Sequence, residues 1–157
     1  MDLLRIDGAV RLPRSFAFAD LASLPEQVQD VGTFLPGREG GGVRLRSILA
    51  AVEPTAEATH LTLVSSDDTF SASVPLAAVQ DAIVAYCLGN DPLPTQKGDP
   101  VRFFIPQVEE CALGGVDACA NVKFVGLIRL SHGPGSDTRP TSKREHEEHH
   151  QQDIAKA

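Results

Sequence analysis

The sequence predicts a mixed α+β domain with short helices scattered between strands, and three observations carry that expectation. Several short runs alternate apolar with polar residues, the period of a half-buried strand. One segment, Leu45, Ile48, Leu49 and Val52, carries the i, i+3, i+4, i+7 stripe of an amphipathic helix. Strand and helix signals do not alternate one for one, which argues against a doubly wound parallel sheet.

Taken in order, Leu3–Ile6 and Ala9–Leu12 read as short strands around a turn at Asp7-Gly8. Phe16, Phe18, Leu21 and Leu24 lead into a short helix closed by Pro25. Val28–Leu35 reads as a strand, followed by Pro36-Gly37-Arg38-Glu39-Gly40-Gly41-Gly42, a loop too rich in glycine for regular structure. The helix over Leu45–Val52 is stopped by Pro54. Leu61 and Leu63, then Phe70, Ala72 and Val74, flank the turn-forming Ser65-Ser66-Asp67-Asp68 and predict a β-hairpin.

Pro75 suits the first position of a short helix through Val79. Ala82–Leu88 is apolar without a break and fits a buried strand as well as a helix segment. Val101–Ile105 and Val122–Leu130 are rich in β-branched and aromatic residues and read as strands.

From Ser131 to Ala157 the only aliphatic residue larger than alanine is Ile154, so a domain over residues 3–130 is expected to be followed by a polar tail over 131–157. Four of the 5 histidines lie in that tail. His146-Glu147-Glu148-His149-His150 satisfies H-E-x-x-H, whose zinc chemistry needs a packed helix and a third ligand; polar neighbours make a solvated tail the expectation.

At 157 residues with 42% hydrophobic and 22% charged residues, the composition is that of one globular domain. A net charge of -7 disfavours nucleic acid and acidic membrane surfaces as partners, so an anionic ligand would need a local cluster of positive charge. No apolar run approaches the roughly 18 residues of a membrane span, and the N-terminal Met1-Asp2-Leu3-Leu4-Arg5 lacks the pattern of a secretory signal, giving a cytoplasmic expectation. The 3 cysteines, Cys87, Cys111 and Cys119, are expected as reduced thiols, with Cys87 a small buried hydrophobe. Cys111 and Cys119 bracket Leu113-Gly114-Gly115; with the histidine tail they define a weaker metal-handling alternative. His60, the one histidine before the tail, has no partner indicated for a Ser-His-Asp arrangement.

Beyond residue 70 the order Pro75-Leu76, Ala85-Tyr86, Gly89-Asn90, Pro92-Leu93-Pro94, Gly98-Asp99-Pro100-Val101-Arg102, Ile105-Pro106 and Val122-Lys123-Phe124-Val125-Gly126-Leu127-Ile128 resembles the molybdopterin-binding domain of the sulfite oxidase family. Gly8, Asp20-Leu21, Leu24-Pro25, Gly42-Val43-Arg44-Leu45 and Ile48-Leu49 resemble that family's opening segments.

The resemblance covers about residues 3–130 and implies a mixed-sheet sulfite-oxidase fold. It further implies a pterin dithiolene holding molybdenum with a cysteine thiolate, two-electron redox or oxo-transfer chemistry on a small molecule, and an electron-transfer or protein partner. By position Lys123 matches the family lysine that contacts the pterin, and Arg102 matches the arginine of the family's Pro-Val-Arg strand. Arg38 and Arg44, with Arg46, stand around the glycine-rich loop where the family's metal-side cavity forms, and are the candidates for a cofactor phosphate or an oxyanion.

Two departures bear on activity. The metal-binding cysteine implied after Val28–Leu35 is missing, because Gln27–Arg46 contains no cysteine, and molybdenum wants a soft thiolate. The loop Gln107–Val122 is long and carries Glu109, Glu110, Cys111, Asp117 and Cys119, a poor lining for an anionic phosphate. The alternative to a redox enzyme is therefore a binding module that keeps the fold without the metal and uses the pocket for a small anion or a protein partner.

Overall fold

The computed structural model describes residues 2–94, 100–106 and 123–135. Two sheets enclose the main core. The first runs β2(Arg14–Ala17)-β1(Asp2–Gly8)-β10(Val125–Ser131)-β5(His60–Ser65)-β6(Ser71–Pro75). Within it β1 and β10 are parallel and all other pairs antiparallel, so the sheet is mixed. The second runs β3(Gln27–Val28)-β4(Gly41–Arg44)-β7(Ile83–Leu88)-β8(Asp91–Pro92), with β9(Arg102–Phe104) also on β7. The fold class is the α+β arrangement that the sequence predicts.

Alternation does the sorting. Leu4, Ile6, Leu61, Leu63, Ile128 and Leu130 of the first sheet and Val43, Val84, Tyr86 and Phe103 of the second point at one another and are fully or nearly buried. Helix α2(Leu45–Val52) closes this core with Leu45, Ile48, Leu49 and Val52, the stripe read from the sequence. Val125 N–H donates to the Val101 carbonyl at 2.8 Å and ties the two sheets together beside β9.

Four local expectations need correction. Val28–Leu35 is not one strand: β3 ends at Val28, and a 3-10 turn follows over Val31–Thr33. The cause is Asp30, whose carboxylate accepts from the Gly32 N–H at 2.8 Å and turns the chain. Ala9–Leu12 is not a strand either, and β1 pairs instead with Arg14–Ala17 beyond Pro13. Gly41 and Gly42 belong to β4 rather than to a loop, since a Cβ on Gly42 would lie 2.3 Å from the Val84 carbonyl oxygen and only glycine admits that strand pairing. Pro75 ends β6, and Leu76–Val79 forms a 3-10 turn after it.

Ala82–Leu88 resolves as β7, the central strand of the second sheet, which explains its unbroken apolar run. At the far end β10 continues through Ser131, and the next residues remain attached. Gly133 N–H donates to Thr59 Oγ1 and Gly135 N–H to Ser73 Oγ, both at 2.8 Å.

Candidate ligand site

The register of the second sheet decides which candidate residues share a face. Val28, Gly42, Ala85 and Arg102 form one row across β3, β4, β7 and β9, and Arg44, Ile83 and Phe104 form the next. Residues opposite each other in an antiparallel pair point to the same side. Arg44 and Arg102 therefore both occupy the face turned away from the main core, separated by β7 and so by roughly 10 Å.

Between them lies a small second core of Val28, Val31, Ile83, Ala85 and Phe104 with Leu35 packed on it. The 3-10 turn and the loop after it thus cover the centre of this face. They leave the two arginines on either side.

Arg102 is the unusual group. Its guanidinium stacks 4.6 Å from the Phe104 ring centroid, the partner that alternation supplies two residues along the strand. Its Nε is buried and has no hydrogen-bond partner among the described residues. Burial first, and then the like charge of Arg38, bring its pKa down to about 10. A buried donor without an acceptor beside a second cation is costly unless an anion is bound there. Phe104 is a site residue that the sequence reading missed, although the spacing Arg102-Phe103-Phe104 in a strand is enough to find it.

Lys123 is exposed at the bend before β10. The Val101–Val125 bridge brings it to the same end of the molecule as Arg102, since Lys123 lies two residues before Val125 and Arg102 one after Val101.

Arg44 and Arg46 form a different neighbourhood. Arg44 donates from Nη1 to the Asp81 carbonyl at 2.7 Å and lies 4.4 Å over the ring of Phe34, which is 42% exposed. Arg46 Nε reaches both carboxylate oxygens of Glu26 at 2.9 Å, and Ser47 Oγ donates to the same carboxylate. These bonds hold the Glu26 carboxyl below its ordinary pKa, the Arg46 hydrogen bond having the largest effect. Arg46 is thus already matched to an internal anion. Glu26 and Phe34 carry no motif, and nothing in the sequence pattern points to them.

Two glycines at the end of the glycine-rich segment are taken up by the sheet. A Cβ on Gly41 would sit 2.9 Å from Cys87 Sγ, and that on Gly42 would meet backbone, so both glycines serve strand packing. Cys87 is half-buried, and burial pushes its thiol pKa up despite a hydrogen bond from the Gly41 backbone. With no metal bound, the thiol form is favoured at neutral pH. Among the described residues no group of three or more His, Cys, Asp or Glu side chains is placed to hold a metal ion. Cys111, Cys119 and the H-E-x-x-H segment lie outside the described residues, as do Gly98 and Asp99. His60 pairs its Nδ1 with Thr59 Oγ1 at 2.9 Å and has no part in the site. No helix among the described residues is long and apolar enough to cross a membrane.

A pterin dithiolene brings a phosphate and a metal centre, and the described residues fit the two unequally. Arg102 and Arg38 supply what a phosphate needs: an orphaned buried donor and a second positive charge. Among the described residues the metal's thiolate is not matched at the implied position: Gln27–Arg46 has no cysteine, and Cys87 is half-buried against Gly41.

With this geometry in view, comparison with known proteins gives a family. The model for the oxidoreductase molybdopterin binding domain matches residues 39–135. The chain belongs to that family. Among solved structures it is similar to the sulfane dehydrogenase SoxCD from Paracoccus pantotrophus, with a TM-score of 0.63 and 22% identity over 85% of this chain. At that identity the likeness concerns the fold. The chain spans 39% of the length of that structure's chain. No curated protein matches it.

Proposed function

We propose that this domain binds a phosphorylated small molecule, such as a phosphorylated pterin, through Arg102 and Arg38, and acts as a binding module rather than as an oxo-transfer enzyme. One observation carries the reading: the Nε of Arg102 is buried without a partner among the described residues, beside the like charge of Arg38. A dianionic phosphate would satisfy that donor and relieve the repulsion at once. Phe104 stacks on the guanidinium, and Lys123, which the Val101–Val125 bridge brings to the same end of the molecule, is a further candidate contact.

The second reading is a molybdopterin-dependent oxidoreductase working with an electron-transfer partner, and family membership over residues 39–135 favours it. Bound cofactor would supply the two-electron chemistry; this chain's part would be to hold its phosphate and orient its ring. The two readings part on the metal. The full chain, expressed in a host that makes molybdenum cofactor, is assayed for molybdenum by mass spectrometry and for pterin by fluorescence after oxidation. Pterin or another phosphorylated ligand without stoichiometric molybdenum supports the binding module. Molybdenum and pterin at one per chain would sink it in favour of the enzyme.

A further inference from the structure

The sequence gives residue 131 as the start of a polar tail, yet residues 131–135 are seated on the first sheet. The Ser131 carbonyl accepts from the Thr59 N–H at 2.9 Å, and Ser131 Oγ donates to the Gly133 carbonyl at 2.8 Å. His132 Nδ1 donates to the Glu57 carbonyl at 3.3 Å. Gly133 N–H then donates to Thr59 Oγ1 and Gly135 N–H to Ser73 Oγ, so the chain crosses from the end of β10 over β5 to β6.

Strand alternation builds the seat. Leu61 and Leu63 of β5 and Ala72 and Val74 of β6 point into the main core, which puts Thr62 and Ser73, opposite each other in register, on the outer face. Hydroxyls on an outer face are ordinarily wet, but Thr62 is only 5% exposed and Ser73 8%. Gly135 lies directly on Thr62: a Cβ there would overlap Thr62 Oγ1, and Thr62, β-branched and buried, has little freedom to turn away. Gly133 has a φ of 83°, a left-handed backbone that glycine adopts without strain. Gly133-Pro134-Gly135 is thus fitted to the crossing as well as ending the strand.

Polar contacts hold this strap. Residues 131–135 bring no large apolar side chain to the core, and His132 and Pro134 are exposed. β10, by contrast, is paired on both sides, with β1 and β5. A segment with few buried apolar contacts opens at lower free energy than the sheet beneath it.

We propose that residues 131–135 form a latch, closed over the Thr62–Ser73 pair in the folded domain and able to open as a unit while both sheets stay paired. Closed, it makes the chain leave the domain over β6 instead of at the end of β10. Opening uncovers the two hydroxyls and frees the chain from β6.

The test is amide hydrogen exchange followed by NMR on the full chain. In the unaltered protein the Gly133 and Gly135 amides exchange at least about tenfold more slowly than in an unstructured peptide, and faster than those of Leu63 and Ile128 in the central strands. Gly135→Ala brings the Gly133 amide to the unstructured rate and leaves Leu63 and Ile128 protected. Adding Thr62→Ala restores the protection, because the nearest remaining atom, the Cβ of residue 62, is then at an ordinary 3.4 Å from the new methyl group. Ser73→Ala, which removes the acceptor on β6, speeds exchange at Gly135 without any added bulk. Unprotected Gly133 and Gly135 amides in the unaltered chain, or protection there equal to that of Leu63, would overturn the proposal. So would unchanged exchange in Gly135→Ala, loss of Leu63 and Ile128 protection along with it, or no recovery on adding Thr62→Ala.

Discussion

Arg38 lies close enough to Arg102 for its charge to help hold the Arg102 guanidinium at a pKa of about 10. A like charge acts on a buried guanidinium whose Nε has no acceptor among the described residues, on a face whose centre is otherwise a small apolar core. Such an arrangement is destabilising in the free protein and favourable once an anion arrives, which is how binding sites often differ from the rest of a fold.

Replacing the buried guanidinium with an apolar chain of similar length follows directly. Arg102→Met should raise the stability of the ligand-free domain by up to roughly 1 kcal/mol, after allowance for the partial exposure of the group. Thermal melts without added anion check this, and a large loss of stability would show that Arg102 has structural partners instead.

Gly42 tests the reading of the glycine-rich segment. Its would-be Cβ meets the Val84 carbonyl oxygen at 2.3 Å and the Ala85 Cα at 2.9 Å, both backbone atoms. Gly42→Ala should destabilise the domain by about 2 kcal/mol, in the range of overpacking. A glycine serving a ligand instead would leave the melting temperature unchanged and weaken binding.

Tyr86→Phe removes the 2.6 Å hydrogen bond to Gln27 Oε1. The change leaves a part-buried acceptor unpaired, for a loss of about 1 kcal/mol in chemical denaturation.

Glu26 sets part of the acid limb of stability. Its folded pKa lies below the unfolded value, so its contribution is complete above the unfolded pKa and is lost as pH falls through the folded one. Glu26→Gln should therefore shallow the decline in melting temperature below about pH 4.5 and leave the slope near neutrality alone. Asp67, also lowered, by hydrogen bonds from Thr69 and Ser65, titrates in the same direction and remains in the variant as a residual slope.

Much of the fold was legible because the physical signals were periodic. The α2 stripe at Leu45, Ile48, Leu49 and Val52 and the hairpin residues Leu61, Leu63, Ala72 and Val74 lie where their spacing put them. The Val28–Leu35 segment misled because its apolar content hid a turn made by one carboxylate, Asp30, onto the Gly32 N–H. For the candidate site, the sequence offers residue types and not their grouping. Arg38, Arg44 and Arg46 are close in sequence, yet the structure groups Arg38 with Arg102 and gives Arg46 to Glu26. Register and the αL turn at Glu26, with its φ of 60°, create those pairings, and neither has a sequence period.

The most direct test of the account is calorimetric titration of the full chain with inorganic phosphate, alongside Arg102→Met and Arg38→Ala. The account predicts saturable binding to the unaltered protein, about tenfold weaker binding in Arg38→Ala, as expected for one lost charge-assisted contact, and none in Arg102→Met. Binding that survives in Arg102→Met, or none in the unaltered chain, would contradict it.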